Sequence, residues 1–255
     1  IERTAMSKVT TEHYRTAASA ALKDSQLQKA LSGFQKRIGP ATARGYASLP
    51  EGPGLRLKAK QARMEGLENL DILLERLAGR IREQGGHVYF APTAEDAVRY
   101  CRNVARRHDV RLTVKGKTMV SEEIGLDQGL EEDGIEVVET DLGQYIVQLA
   151  GETPSHIIAP AIHKTRVEIG RLFEKKLGIP YSEDPPTLTQ AARKALREKF
   201  LTADMGISGC NLACAETGHI TTVSNEGNIR MATTLPRVHV ALMGMERIVA
   251  RLSDH

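Results

Sequence analysis

The polar and apolar positions of the first third follow a helical period. From Ser7 to Ile38, apolar residues recur at Ala18, Ala21, Leu22, Leu27, Ala30, Leu31 and Phe34, predicting a helical arm broken near Asp24-Ser25 and ended by Gly39-Pro40. A turn-rich connector with Gly45, Pro50, Gly52, Pro53 and Gly54 leads into a second helix over 55–83. There Leu67, Leu70, Leu74, Leu77 and Ile81 recur at three- and four-residue steps, until Gly85-Gly86 closes the element.

Beyond residue 86 the pattern changes to short apolar runs alternating with amphipathic stretches. Strands are predicted at 87–91, 110–114, 135–140 and 155–160. Helices are predicted at 94–107, where Thr93 caps and Glu95 and Asp96 occupy the first turn, and at 120–132, 142–150, 161–176 and 188–200. Strands and helices alternating at this spacing predict parallel βα units in an α/β fold with helices on both faces of the sheet. The final runs, 203–207, 219–224, 229–234 and 238–243, leave little room for intervening helices and predict mixed C-terminal strands. The expected organisation is a helical arm over 7–84 followed by an α/β domain over 85–255. Residues 1–5, ahead of Met6, are set outside this reading.

Composition narrows the function classes. With 41% hydrophobic and 26% charged residues, the 255-residue chain is ordinary globular material. Its formal charge of +3 is spread among interspersed acids and bases, and only 4% of residues are aromatic, with no Trp; neither feature favours nucleic acid. No apolar run reaches the ~20 residues that span a bilayer, and the start lacks a signal-peptide core, so no membrane span is expected. Three cysteines, Cys101, Cys210 and Cys214, are an odd number at spacings that do not read as a disulfide framework, and a cytoplasmic location is the expectation.

Candidate chemistry lies in two stretches. The loop KGKTMVSEE follows the strand at 110–114, and in open α/β sheets ligands sit beyond the carboxyl ends of strands. Lys115, Lys117, Thr118, Glu122 and Glu123 are therefore candidate ligand-binding residues. A Walker A motif is excluded, because Arg111 stands five positions before Gly116 where glycine is required. The second stretch, GCNLACAETGHITTVSNEGN at 209–228, carries Glu216, a candidate nucleophile or base, with Thr217 beside it. Its Ser224–Asn228 turn offers Asn225, Glu226 and Asn228 to the same pocket. Cys210, Cys214 and His219 lack the paired Cys-x2-Cys units of structural zinc sites and the cysteine run of ferredoxin clusters, so no metal ligand is assigned. His156 and His163 flank the junction after 155–160 and read as surface or junction residues.

The blocks GGHVYFAPTAEDA, VKGKTMVSEEIGL, VVETDLGQYIVQL, PSHIIAPAIHK and ADMGISGCNLACAETGHITTVSNEGNIRMATTLPRVHVALMGMERIV occur in this order. They resemble the amino-terminal region of the iron-sulfur subunit of the bacterial L-lactate-utilisation system. The resemblance implies a three-layer, Rossmann-like α/β/α domain related to ribose-5-phosphate isomerases and CoA transferases. It also implies participation in the oxidation of L-lactate to pyruvate within a complex of several subunits. It further implies 4Fe-4S clusters in a following ferredoxin-like region, whose cysteine motifs are absent from these 255 residues; no cofactor is expected within the chain itself.

Three functions follow as expectations. The first is a ligand-binding domain of a lactate-oxidising electron-transfer protein, taking an anionic small molecule or a partner subunit at the strand ends. The second is an acyl- or CoA-transfer enzyme: CoA transferases use a glutamate followed by Asn-Gly, and Glu216-Thr217-Gly218 is similar, with Thr in place of Asn. The third is a structural assembly module gripping its partner through the helical arm.

Overall fold

The computed structural model describes residues 13–156 and 159–255; the predicted turn-by-turn structure of residues 7–12 and of Ile157 and Ile158 lies outside these. In chain order the elements are α1 (Tyr14–Lys23), α2 (Ser25–Ala47), α3 (Gly52–Glu68), α4 (Leu70–Glu83), α5 (Ala94–Arg107), β1 (Leu112–Lys115), α6 (Met119–Glu123), α7 (Leu126–Glu132) and β2 (Glu136–Glu139). They continue with α8 (Leu142–Ala150), α9 (Arg166–Leu177), α10 (Pro185–Thr202), β3 (Met205–Gly209), β4 (Leu212–Cys214), β5 (Ile220–Thr221), α11 (Asn228–Thr234), β6 (Val238–Leu242) and β7 (Ile248–Val249).

The chain divides into two compact units. One gathers the described residues as far as Gly52 with Leu142–Ala195; the other gathers Pro53–Asp141 with Leu196–His255.

In the first unit, the predicted break falls at Asp24, whose carboxylate accepts from Leu27 N and so caps α2. Helix α2 does not stop at Gly39-Pro40. It runs through Pro40 to Ala47, a correction to the sequence reading, with no residue of the helix buried. The predicted helix at 161–176 starts later: residues 161–163 form a turn, and a capping box made by Thr165 and Glu168 opens α9 at Arg166. The strand predicted at 155–160 is absent among its described residues. Gly178, in the left-handed region, closes α9.

The second unit is built on a fully parallel four-stranded sheet in the order β2-β1-β3-β6. In register, Thr113 and Lys115 of β1 sit beside Val137 and Glu139 of β2 on one side and Met205 and Ile207 of β3 on the other. These positions share a face, since paired residues of adjacent strands point the same way. That face carries the main core, where Val137, Met205 and Ile207 meet Cys101 and Ala105 of α5 and Leu126 and Leu130 of α7. On the opposite face α11 packs on β3 so closely that a Cβ on Gly206 would lie 1.7 Å from the Ala232 carbonyl oxygen. Helices on both faces of a parallel sheet give the expected three-layer, Rossmann-like arrangement.

Of the runs expected as mixed C-terminal strands, 203–207 and 238–243 supply β3 and β6 of the parallel sheet, while 219–224 contains β5 of a separate small sheet, β5-β4-β7, antiparallel between β4 and β5 and parallel between β4 and β7. Leu73 and Leu77 of α4 pack on it together with Cys210, Ala213, Ala215 and Ile248, with Leu70, Leu74 and Ile81 alongside. The single helix expected over 55–83 is broken at Asn69, which leaves Leu67 exposed on α3.

Two further expectations are corrected. Residues 87–91 are unpaired rather than a strand, although Tyr89 stacks on Tyr100 with ring centroids 4.2 Å apart. Residues 229–234, expected as a strand, belong to helix α11; Gly227, at φ +75°, turns the chain into it, and Asn228 and Ala232, one helical turn apart, are its buried positions.

Candidate functional site at the carboxyl edge of the parallel sheet

The chain leaves β1 towards β2 on one side and returns through β3 on the other, so the sheet order reverses beside β1. At such a switch point the loops after adjacent strands part and leave a crevice. The residue that ends β1 there is Lys115.

Lys115 is fully buried. Its ammonium lies 2.7 Å from Glu139 Oε1 at the end of β2 and 2.9 Å from Asp127 Oδ2 on α7, and donates to Ser121 Oγ at 3.1 Å. Ser121 in turn donates to the Thr118 carbonyl, tying the loop to the cluster. Burial by itself would depress the lysine pKa, but Glu139 and Asp127 outweigh it and hold the ammonium firmly protonated. Glu139 moves the other way: burial pushes its carboxyl up to about 7 against the pull of Lys115, helped by Asp127 and Glu122. One buried cation faces two carboxylates, and burial makes the more deeply buried of them a weaker acid than an ordinary glutamate.

The other side of the edge is a chain of neutral groups. Thr140 Oγ1 donates to the Lys115 carbonyl oxygen at 2.9 Å, and Asn228 Nδ2 donates to Thr140 Oγ1 at 3.0 Å. The first residue of α11 is thereby tied to the ends of β1 and β2. Gly209, ending β3, lets the buried Thr118 side chain approach to 3.0 Å of its Cβ position.

Of the sequence-derived candidates, the structure brings Lys115, Thr118 and Asn228 into this edge, with Lys117 and Glu122 half-buried beside it and Glu123 exposed. Asn225 and Glu226 are exposed in the turn that enters α11, where Ser224 Oγ accepts from Gly227 N. Glu216 and Thr217 lie on the small sheet instead, in the β4–β5 connection. The exposed Glu216 carboxylate accepts from Leu252 N at 2.9 Å and borders a shallow cleft of about 270 Å³ with Glu65, Asn69, Ile72, Arg76 and Arg251. Thr217 Oγ1 accepts from His219 N at 3.4 Å. The cleft that Glu216 borders is lined by neither Glu226 nor Asn228; Asn228 donates to Thr140, and Glu216 accepts from Leu252 N.

Sequence reasoning missed Asp127, Ser121, Glu139 and Thr140. A signal for Glu139 was present: two residues after Val137 on a strand, it must share Val137's inward face, and a glutamate there needs a cation.

The three cysteines do not suit an iron-sulfur cluster. Cys101 is sealed between α5 and the sheet and Cys210 lies against α4, each with its thiol pushed up to about 11 chiefly by burial, and Cys214 is also buried. Cluster ligation takes thiolates converging on one point. Among the described residues no group of three or more His, Cys, Asp or Glu side chains is disposed to hold a metal ion, and no helix is long and apolar enough to cross a membrane.

A parallel sheet covered on both faces, with a buried ionic cluster at its switch point, defines a Rossmann-like α/β protein. The chain belongs to the LUD domain family, which it matches over residues 74–255. It is 44% identical over 247 residues to the "Uncharacterized electron transport protein YkgF" of Escherichia coli (strain K12), covering 97% of this chain and 52% of that protein. It is likewise 44% identical over 248 residues to "Lactate utilization protein B" of Bacillus licheniformis, and 43% identical over 248 residues to the protein of that name in Bacillus subtilis (strain 168), with the same shares covered. The chain spans about half the length of these curated relatives. No solved structure matches it.

Proposed function

We propose that this chain acts in lactate utilisation as the LUD domain of an electron-transfer protein, and that its sheet edge around Lys117, Thr118 and Asn228 receives an anionic small molecule. The observation that carries the role is the identity of 40–44% over 97% of the chain to relatives named for lactate utilisation or electron transport. Support for the ligand edge is its place at the switch point, where Thr118 and Asn228 are buried and Lys117 is half-buried.

In this reading Lys115 shapes the edge and Lys117 supplies charge to the ligand. Any iron-sulfur clusters of the system are held by residues other than the cysteines of this chain, and other subunits of the lactate-utilisation system are the partners. The acyl-transfer reading through Glu216 is not favoured, because that carboxylate already accepts the Leu252 N–H and stands in the open on the small sheet.

The test is growth. A strain with an in-frame deletion of the codons for this domain should fail to grow on L-lactate as sole carbon source while growing normally on glucose, and the intact gene should restore growth. Normal growth of the deletion strain on L-lactate would overturn the proposed role.

A further inference from the structure

In the first unit, the segment between α8 and α9 brings together three side chains that the sheet edge does not use. Ser155 Oγ lies 2.7 Å from His163 Nδ1, and His163 Nε2 lies 2.8 Å from Glu152 Oε2. A serine, an imidazole and a carboxylate in line are the parts of an activated nucleophile.

The protons can be assigned by elimination. Burial favours the neutral carboxyl of Glu152, but hydrogen bonds from Lys164 and His163 outweigh it and hold the group below its ordinary range, so near neutrality it is an ionised, acceptor-only carboxylate. Nε2 must then carry the hydrogen it shares with Glu152. In the neutral ring Nδ1 is left as a bare lone pair, and it accepts the Ser155 hydroxyl proton. The two ring nitrogens are used in the opposite order from the serine-protease arrangement, with the same division of labour.

The array is held from several sides. Gln26 of α2 donates through Nε2 to the His163 carbonyl at 3.1 Å and to Glu168 Oε2 at 3.3 Å, linking the histidine's backbone to the capping box of α9. Ser155 N donates to the Pro160 carbonyl at 3.0 Å, and Lys164 Nζ bonds the second oxygen of Glu152. The serine itself is exposed. A positioned base on an accessible hydroxyl is more than closing a loop requires.

The geometry points to Ser155 as a nucleophile that accepts an acyl group from an activated ester, with His163 as its general base and Glu152 orienting the imidazole. Ser155 Oγ forms a bond to the ester carbonyl carbon as its proton passes to His163 Nδ1. The bond to the leaving alcohol breaks, that alcohol takes the proton from Nδ1, and the acyl group remains on Oγ until water removes it by the same steps in reverse order.

The experiment treats the purified chain with a fluorophosphonate probe and with p-nitrophenyl acetate, reading the site of the adduct by peptide mass and its rate against pH. The expected result is a single adduct on Ser155, formed faster as pH rises. The rate should fall about 100-fold or more in His163→Gln, the range general-base assistance supplies, while circular dichroism shows the fold retained. Absence of an adduct on Ser155 in the unsubstituted chain, or a Ser155 rate that is independent of pH and equal in His163→Gln, would overturn the assignment; the first of these needs no variant to fold.

Discussion

Lys115 and Glu139 end adjacent parallel strands in register, and their side chains meet at 2.7 Å on the face covered by α7, with no part of the lysine exposed. Removing Lys115 alone leaves the carboxylates of Glu139 and Asp127 without their shared cation. The pair therefore ties the integrity of the sheet edge to its electrostatics.

Lys115→Met should destabilise the protein by about 3–5 kcal/mol, the usual consequence of leaving a buried charge without its partner. Adding Glu139→Leu to it should recover part of that loss, because the uncompensated carboxylate is gone. Equilibrium urea unfolding of the single and double variants checks both signs.

Stability should fall as pH rises through neutrality. In the unfolded chain Glu139 titrates near its ordinary 4.5, whereas in the fold burial lifts it to about 7. Between these values the folded state binds the extra proton, so its contribution is fully present below 4.5 and is lost as pH passes 7. Glu139→Gln, neutral at every pH, should flatten this part of the profile in urea titrations run from pH 4.5 to 8.

The cysteines should behave as inert core residues. With Cys101, Cys210 and Cys214 all buried and two of the thiols pushed up to about 11, a disulfide-exchange reagent at pH 8 should react with none of them over minutes in the native protein and with all three in guanidinium. A fast-reacting thiol in the native chain would contradict this packing.

Gly206→Ala should be severely disruptive, because the new methyl would meet the Ala232 carbonyl of α11 at 1.7 Å. The helix must move off β3, at a cost of about 1–3 kcal/mol or more for overpacking. Asn228 would be drawn from Thr140 with it, so thermal unfolding should show a lowered midpoint.

Much of the second unit was legible in the sequence where local signals agreed. Thr93 with Glu95 and Asp96 located α5 to the residue, and the strand expected at 135–140 contains β2. Failures arose where local and tertiary signals part. The helical rows of α3 and α4 looked continuous because Asn69 interrupts the helix without a proline or glycine. The stretch at 229–234 carries Ile and two Thr, which favour strands, but Gly227 and the close packing of Ala232 on Gly206 make it helical. A glycine within a predicted strand, as at Gly206, was the available sign of close approach. At the sheet edge Lys115 was legible from its position after a strand. Asp127 was not, because only the folding of α7 over the sheet brings it to the ammonium.

The partner of Glu216 shows the same limit: its sequence neighbours give no sign of the Leu252 N–H, 36 residues away, which its carboxylate accepts.

The central claim, that the edge beyond Lys115 receives an anionic ligand in lactate utilisation, is tested most directly by reversing the charge that meets the ligand. Lys117→Glu, introduced at the native locus, should leave the protein's abundance unchanged and abolish growth on L-lactate while sparing growth on glucose. Growth on L-lactate at the unsubstituted rate, with the variant protein present at its normal level, would contradict the account.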